Sequence, residues 1–306
     1  MKPSVAILLC TFNGQRYLKE QLNSFDTQDH HNWTLWASDD GSTDNTIDLL
    51  SSYQNKWPKN RLNIKTGPGK GFAANFLALL NNGAINADYY AYSDQDDIWN
   101  RSKLSRAIRW LESMPRNIPA LYCTRTQLID EIGTNIGFSP LFKKSPGFAN
   151  ALVQNIGGGN TMVFNETARN LMKEAGLVDV CTHDWWTYIV ISGCGGNVFY
   201  DPMPSLLYRQ HGANLCGSNQ GWLARVVRIR MLWQGRFRQW NEKHIQALQK
   251  IRPQLTLESA QTLARFSKAR EKALLPRIYG LKRSGIYRQT LLGNLGLVFG
   301  AVFKRI

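Results

Sequence analysis

Tyr89-Tyr90-Ala91-Tyr92-Ser93-Asp94-Gln95-Asp96-Asp97-Ile98-Trp99 decides the fold of this 306-residue chain. The aromatic run Tyr89–Tyr92 reads as a short buried strand. Three carboxylates (Asp94, Asp96, Asp97) follow directly, where that strand ends. In an open α/β sheet, ligands bind beyond the carboxyl ends of strands. Carboxylates this close repel one another, so the arrangement calls for a counter-charge. Their oxygens suit hard divalent cations such as Mg2+ and Mn2+. A solvated acidic loop is the plainer reading of these residues alone, and the turns around them decide against it.

Working outward, the first hundred residues repeat a strand–helix unit three times. Val5–Leu9 is an apolar strand, and Gln15–Phe25 has helical spacing through Tyr17, Leu18, Leu22 and Phe25. Thr34–Ala37 is a second strand, and Thr43 or Asp44 is placed to cap a helix through Ile47, Leu50 and Tyr53. Leu62–Lys65 leads through Gly67-Pro68-Gly69-Lys70-Gly71 into the helix Phe72–Leu80. A polar, Gly- or Asp-rich turn follows each strand, which predicts a parallel, doubly wound sheet with these turns on one edge. Further on, the pattern gives a helix over Arg101–Ser113, a strand at Ala120–Thr124 and a loop-rich stretch over Gly133–Gly147. It then gives a strand at Thr161–Phe164, helices over Glu166–Ala175 and Thr182–Ile191, and strands at Asn197–Tyr200 and Ser205–Tyr208.

Charge is distributed unevenly. Residues 222–306 hold 18 of the 37 Lys and Arg but only 3 of the 22 acids, so the whole net charge of +15 resides there. A neutral body with a basic tail suggests a polyanionic partner, nucleic acid or an anionic membrane. Acidic turns repel nucleic-acid phosphate, which disfavours the first. The five cysteines include no C-x-x-C pair, which argues against a disulfide framework or structural zinc and for a reducing compartment. Met1–Ser4 has no signal-peptide pattern, and no stretch has the roughly 18–20 apolar residues of a spanning helix.

Several motifs carry chemistry together that none carries alone. Asp39-Asp40-Gly41-Ser42-Thr43-Asp44 offers a carboxylate to a base or ribose, or an Asx-turn with no ligand. The Gly67–Gly71 stretch resembles a phosphate cradle but lacks the spacing of a P-loop or a dinucleotide fingerprint. Asp184, beside Trp185 and Trp186, is suited to a general base if partly desolvated. Arg209 and His211 could neutralise phosphate or ligate a metal. In order and spacing, LLCTFNGQRYLKEQLNSF, SDDGSTDNT, GKGFAANF, YSDQDDIW, GGGNTMVFN, HDWW and YRQHGAN resemble a family 2 glycosyltransferase. The resemblance covers about residues 3–215 and is most similar to bacterial transferases of O-antigen and other surface polysaccharides.

The resemblance implies a GT-A fold: a Rossmann-like, mostly parallel sheet with helices on both faces, here followed by a C-terminal basic helical extension. It places Thr11, Phe12 and Asn13 around the nucleotide, Asp40 on the base, and Lys70, Gly71 and Asn75 near ribose and phosphates. Asp94 and Asp96 fill its D-x-D, with Asp96 the principal Mn2+ or Mg2+ ligand. Arg209 and His211 close over the diphosphate, with His211 a further metal ligand. Gly158, Gly159, Asn160 and Trp185 border the acceptor. Asp184, preceded by His183 where the family often has glutamate, is the catalytic carboxylate of a single, inverting displacement. The implied donor is a nucleotide-sugar, UDP-glucose or UDP-galactose first and dTDP-rhamnose second. The implied acceptor is a sugar on undecaprenyl diphosphate at the cytoplasmic face of the bacterial inner membrane. Residues 1–221 form the transferase domain in this reading, and 222–306 the membrane-associating tail. A binding protein without catalysis is the alternative of another class.

Overall fold

The computed structural model describes residues 2–212, 230 and 234–306. The amphipathic segment read from the sequence at 222–232, with Trp233, lies outside the described residues apart from Arg230. A seven-stranded sheet forms the centre of the body. Its strands are β1 (Val5–Thr11), β2 (Trp33–Asp39), β3 (Leu62–Thr66), β4 (Tyr89–Ser93), β6 (Ala120–Thr124), β9 (Val163–Asn165) and β10 (Asn197–Asp201), in the order β10-β6-β9-β4-β1-β2-β3. All neighbours are parallel except β9, which runs antiparallel to both β4 and β6. Every residue of β1 is buried, as a central parallel strand covered on both faces requires.

Alternation along the strands sends side chains into two cores. Ala6, Leu8 and Tyr92 pack with α3 (Phe72–Leu80), α6 (Glu166–Ala175) and α7 (His183–Gly193). Val5, Ile7 and Leu9 pack with α1 (Leu18–Asp26), α2 (Thr46–Lys56) and α4 (Lys103–Glu112). The first core continues into the C-terminal helices α8 (Arg236–Lys250), α9 (Leu257–Glu271), α10 (Leu274–Arg283) and α11 (Leu291–Val302), through Leu248, Phe266, Leu281 and Ala301.

Register sets the site. Thr11 is opposite Asp39, Asp39 is opposite Thr66, and Ser93 is opposite Leu9. Strands β1 to β3 therefore end level, while β4 stops short of β1 and leaves room for the acidic turn. Below that edge a small second sheet joins β5 (Ile98–Trp99), β11 (Leu206–Arg209), β7 (Gln127–Ile129) and β8 (Asn135–Phe138) in that order. Sequence patterning read 133–147 as loop and Ile98-Trp99 as part of the acidic stretch. Two- to four-residue strands lack enough alternation to register, and their pairing is wholly non-local. The N-cap position of α2 falls on Asn45, one residue past Asp44, and makes no side-chain cap bond; the Asp44 carboxylate accepts from the Thr46 N–H (3.0 Å) and the Gln15 N–H (3.1 Å), while Thr43 donates its N–H to Asn13.

Candidate active site

The post-strand turns converge on one crevice. Gln95, in the acidic turn, accepts from the Phe12 N–H (2.8 Å) and donates to the Phe12 carbonyl (3.0 Å). A Cβ on Gly14 would come 2.3 Å from the Gln95 side chain, so that position has no room for one. Asn13, held in the left-handed region at φ 50°, donates its N–H to Ser42 and accepts the Thr43 N–H through its side chain (both 2.8 Å). Asp40 accepts the N–H groups of Gly69 (2.7 Å) and Gly71 (2.8 Å). The glycine-rich stretch therefore already holds an anion, and that anion is the protein's own carboxylate. Phe12 and Lys70 are exposed on this rim, and Gly71 lies at φ 86°.

The acidic turn is the electrostatic centre. Burial pushes Asp94 up to about 8, with the nearby Asp96 and Asp184 charges adding to it. Asp97 is fully buried and is likewise raised well above the carboxylate range, by burial first and then by Asp96 and Asp94. It is held by the Asn160 amide (2.5 Å) and the Arg209 backbone N–H (3.2 Å). Lys103 is 1% exposed, donates to the Asn160 carbonyl (2.6 Å) and lies over the Trp99 ring. Burial brings it down to about 7 against the upward pull of Asp97 and Asp94. Lys103 is not among the candidate residues of the sequence; its signal there is a lysine on the same helical stripe as Ala107 and Leu111, all buried. Asp96 faces His211, with Oδ2 2.7 Å from Nε2.

Asp184 enters from the first turn of α7, whose N-cap Thr182 accepts the Trp185 N–H. Its Oδ2 accepts the Gly159 N–H (3.0 Å), tying the Gly157–Asn160 turn to the helix. Asp184 acts on Asp94 electrostatically although 90 residues separate them. His183, next to it, is buried and stacks on Phe76 at 3.8 Å, and burial takes it down to about 4.

The crevice thus gathers Phe12, Asn13, Asp40, Lys70, Gly71, Asp94, Asp96, Gly158, Gly159, Asp184 and His211. Five other residues expected at the site, Thr11, Asn75, Asn160, Trp185 and Arg209, are buried and make hydrogen bonds within the protein. Thr11 is buried and donates to Asp39 (2.8 Å). Asn75 is buried with both ends of its amide on Ser38, at 2.6 and 2.9 Å. Asn160 holds Asp97. Trp185 is buried, donates to the Ala151 carbonyl (2.7 Å) and meets Trp240 and His244 of α8. Arg209 is 1% exposed; it donates to the carbonyls of Asp96 and Glu131 (each 3.1 Å) and to the Glu20 carboxylate (2.8 Å), and lies over the Tyr17 ring.

In a mostly parallel α/β sheet the carboxyl edge, lined here by the acidic turn, is where ligands bind. Comparison with known proteins narrows this. The family model for glycosyl transferase family 2 matches residues 6–146. The chain is 30% identical over 231 residues to the dTDP-rhamnosyl transferase RfbG of Shigella flexneri, covering 72% of this chain and 78% of that protein. Among solved structures, residues 1–349 of S. aureus TarS in complex with UDP-GlcNAc align at a TM-score of 0.54 and 15% identity, covering 93% of each chain. The Pyrobaculum calidifontis mannosyltransferase in complex with GDP-Man and Mn2+ aligns at 0.54 and 17% identity, over all of this chain and 86% of that one. The fold is therefore that of GT-A glycosyltransferases, and the chain belongs to glycosyltransferase family 2.

Proposed function

We propose that this glycosyltransferase moves a hexosyl group from a nucleotide-sugar to a lipid-diphosphate-linked sugar acceptor, in the assembly of O-antigen or a related surface polysaccharide. The similarity to a dTDP-rhamnosyl transferase over 78% of that protein's length carries the reading and puts dTDP-rhamnose ahead of UDP-glucose and UDP-galactose as donor. Donor specificity depends on the few side chains facing the sugar, so the UDP-hexoses stay as the second arm of the test.

The residues divide by where they sit. Phe12, Asn13, Asp40, Lys70 and Gly71 form the nucleotide side of the crevice, Phe12 offering a ring to the base and Lys70 a free-swinging ammonium to phosphate. Asp40 would trade or share its contacts with Gly69 and Gly71 when a base arrives. Asp96 and His211, in contact at 2.7 Å, with Asp94 on the same turn, are the oxygen and imidazole donors that would hold a divalent ion, although among the described residues no three such side chains are gathered closely enough for one. Mn2+ or Mg2+ bound there would stabilise charge developing on the leaving diphosphate. Asp184, anchored by Gly159 and bordered by Gly158, takes the proton from the attacking acceptor hydroxyl as the bond to the anomeric carbon forms. A single attack from the acceptor side, opposite the leaving group, inverts that carbon. Thr11, Asn75, Asn160, Trp185 and Arg209 position these groups without touching substrate.

The body would work at the cytoplasmic face of the bacterial inner membrane, with 222–306 as its membrane-associating part; among the described residues no helix is long and apolar enough to span. The test is a thermal-shift screen against dTDP-rhamnose, UDP-glucose and UDP-galactose with and without Mn2+, followed by transfer to a lipid-diphosphate sugar. Stabilisation and transfer with dTDP-rhamnose are expected. Stabilisation with a UDP-hexose alone reverses the donor order, and donor binding without transfer or hydrolysis refutes catalysis.

A further inference from the structure

Helix α11 is built inside out. Its large residues Leu291, Leu292, Leu295, Val298 and Val302 are all exposed, Leu291 to 77%. They recur at helical spacing and form one stripe. The residues turned to the protein are small: Gly300 and Ala301 are buried, and Gly293 and Gly296 are half-buried, with only Leu297 packing as a large apolar side chain. A water-facing helix places its residues the other way round. A stripe of large apolar side chains facing outward marks a surface that meets something apolar.

Helix α10 extends the same pattern. The Arg277 guanidinium donates to the carbonyls of Lys272 and Ala301 (2.7 Å each), which sets the start of α10 beside the end of α11. There Leu275 is 77% exposed and Tyr279 63%. Lys282 and Arg283 follow, exposed, with Arg283 over the Tyr279 ring. After Glu271 the chain has seven basic residues and no acid. A second copy of this face would oppose positive charge to positive charge. The surface of an anionic bilayer supplies the complementary charge beside an apolar interior.

We propose that the α10–α11 face, centred on Leu291, Leu295, Val298, Leu275 and Tyr279, docks in the interface of an anionic lipid bilayer. The inference deepens the membrane association proposed above by assigning it to a surface, and rests on that reading for the lipid-borne acceptor. The mooring of this face supports a purpose for it. Gln289 receives the Lys144 N–H (3.0 Å) and donates its own N–H to Gln154 (2.8 Å), and the Tyr287 carbonyl accepts from Asn150 (2.9 Å). Asn150 and Ala151 lie on α5 (Phe148–Ala151), which holds Tyr188 (3.0 Å) and Trp185 (2.7 Å) of α7. Helix α7 carries Asp184. The bilayer contact and the proton-accepting carboxylate thus belong to one packed assembly, which fixes the height of the active site above the lipid.

The experiment is flotation of the full chain with vesicles of phosphatidylglycerol and phosphatidylethanolamine, and with phosphatidylcholine alone. Wild type is expected to float with the anionic vesicles. Leu291→Asp/Leu295→Asp, at exposed positions, is expected to lose roughly tenfold or more in partitioning. Lys282→Glu/Arg283→Glu is expected to lose the preference for anionic over neutral vesicles. The melting temperature and the donor-induced thermal shift of each variant should match wild type. Flotation of the leucine variant equal to wild type overturns the proposal. So does a wild-type dimer that the leucine variant converts to monomer without change in flotation, which would assign the face to a second copy. Absence of a donor response in wild type and variants alike counts against the proposed transferase activity, while the flotation arms still decide the surface.

Discussion

Replacing Arg209 separates two accounts of the same residue: a side chain that meets the donor diphosphate, and a buried brace behind the acidic turn. In Arg209→Met the carbonyls of Asp96 and Glu131 lose their donors, and the contact over Tyr17 is lost with them. The Asp96 carbonyl, left unsatisfied, costs about 1–3 kcal/mol, while Glu131 is exposed and water can satisfy its carbonyl. Glu20 is half exposed, so its lost ion pair adds little. With the lost contact over the Tyr17 ring the total is about 2–4 kcal/mol. At about 2–4 °C per kcal/mol, the melting temperature should fall by roughly 4–16 °C without any ligand. Scanning fluorimetry with and without nucleotide-sugar reads both effects. Arg209→Lys should recover only part of the loss, because one ammonium cannot replace a planar fork aimed at three acceptors. A melting temperature within about 1 °C of wild type, with donor stabilisation alone abolished, would refute the brace and restore the direct contact.

Asp184→Asn is expected to retain donor binding and lose at least ~100-fold in transfer rate, measured by single-turnover kinetics; retained turnover removes the assignment. Asp96→Ala should abolish the part of donor affinity that Mn2+ or Mg2+ supplies, and calorimetry showing the same metal-dependent affinity as wild type would contradict it. Gly159→Ala drives a Cβ to 2.5 Å from His183 Nε2 and 3.2 Å from Asp184 Cβ. The stacked imidazole cannot retreat easily, so urea unfolding should show a loss of about 1–3 kcal/mol, and an unchanged midpoint would mean the turn relaxes freely. His244 is buried with neither ring nitrogen bonded among the described residues, and burial brings it down to about 3. The unfolded chain takes up this proton near pH 6.5 and the folded chain does not, so the stability tied to the neutral ring is lost as pH falls through that window. His244→Phe should therefore remove about 2 kcal/mol of the difference in unfolding free energy between pH 7.5 and pH 5. Identical pH dependence in both proteins would mean the imidazole is not held neutral.

Much of the frame was legible because it is local. The helices Phe72–Leu80 and Glu166–Ala175 and the strand Ala120–Thr124 stand where periodicity put them. The turns Asp39–Asp44, Gly67–Gly71 and Asp94–Asp97 were recognisable because each breaks an apolar run with residues that serve only at a strand end. Asp184 stands out in the sequence for its aromatic neighbours, and the structure brings it within electrostatic range of Asp94.

What the chain alone determined is the alternation of apolar runs and polar turns, hence the parallel sheet, its active edge and the acids along it. These follow from nearest-neighbour chemistry: period, charge and backbone freedom. Only the tertiary structure decided that β9 inserts antiparallel between β4 and β6, and that β5, β7, β8 and β11 close a second sheet under the acids. It also decided which polar residues face the crevice and which brace it. Thr11, Asn75, Asn160 and Arg209 carry the same donors and acceptors as residues that touch ligands. Burial and a nearby carbonyl, hydroxyl or carboxylate direct them inward, and those partners lie 28 to 189 residues away along the chain.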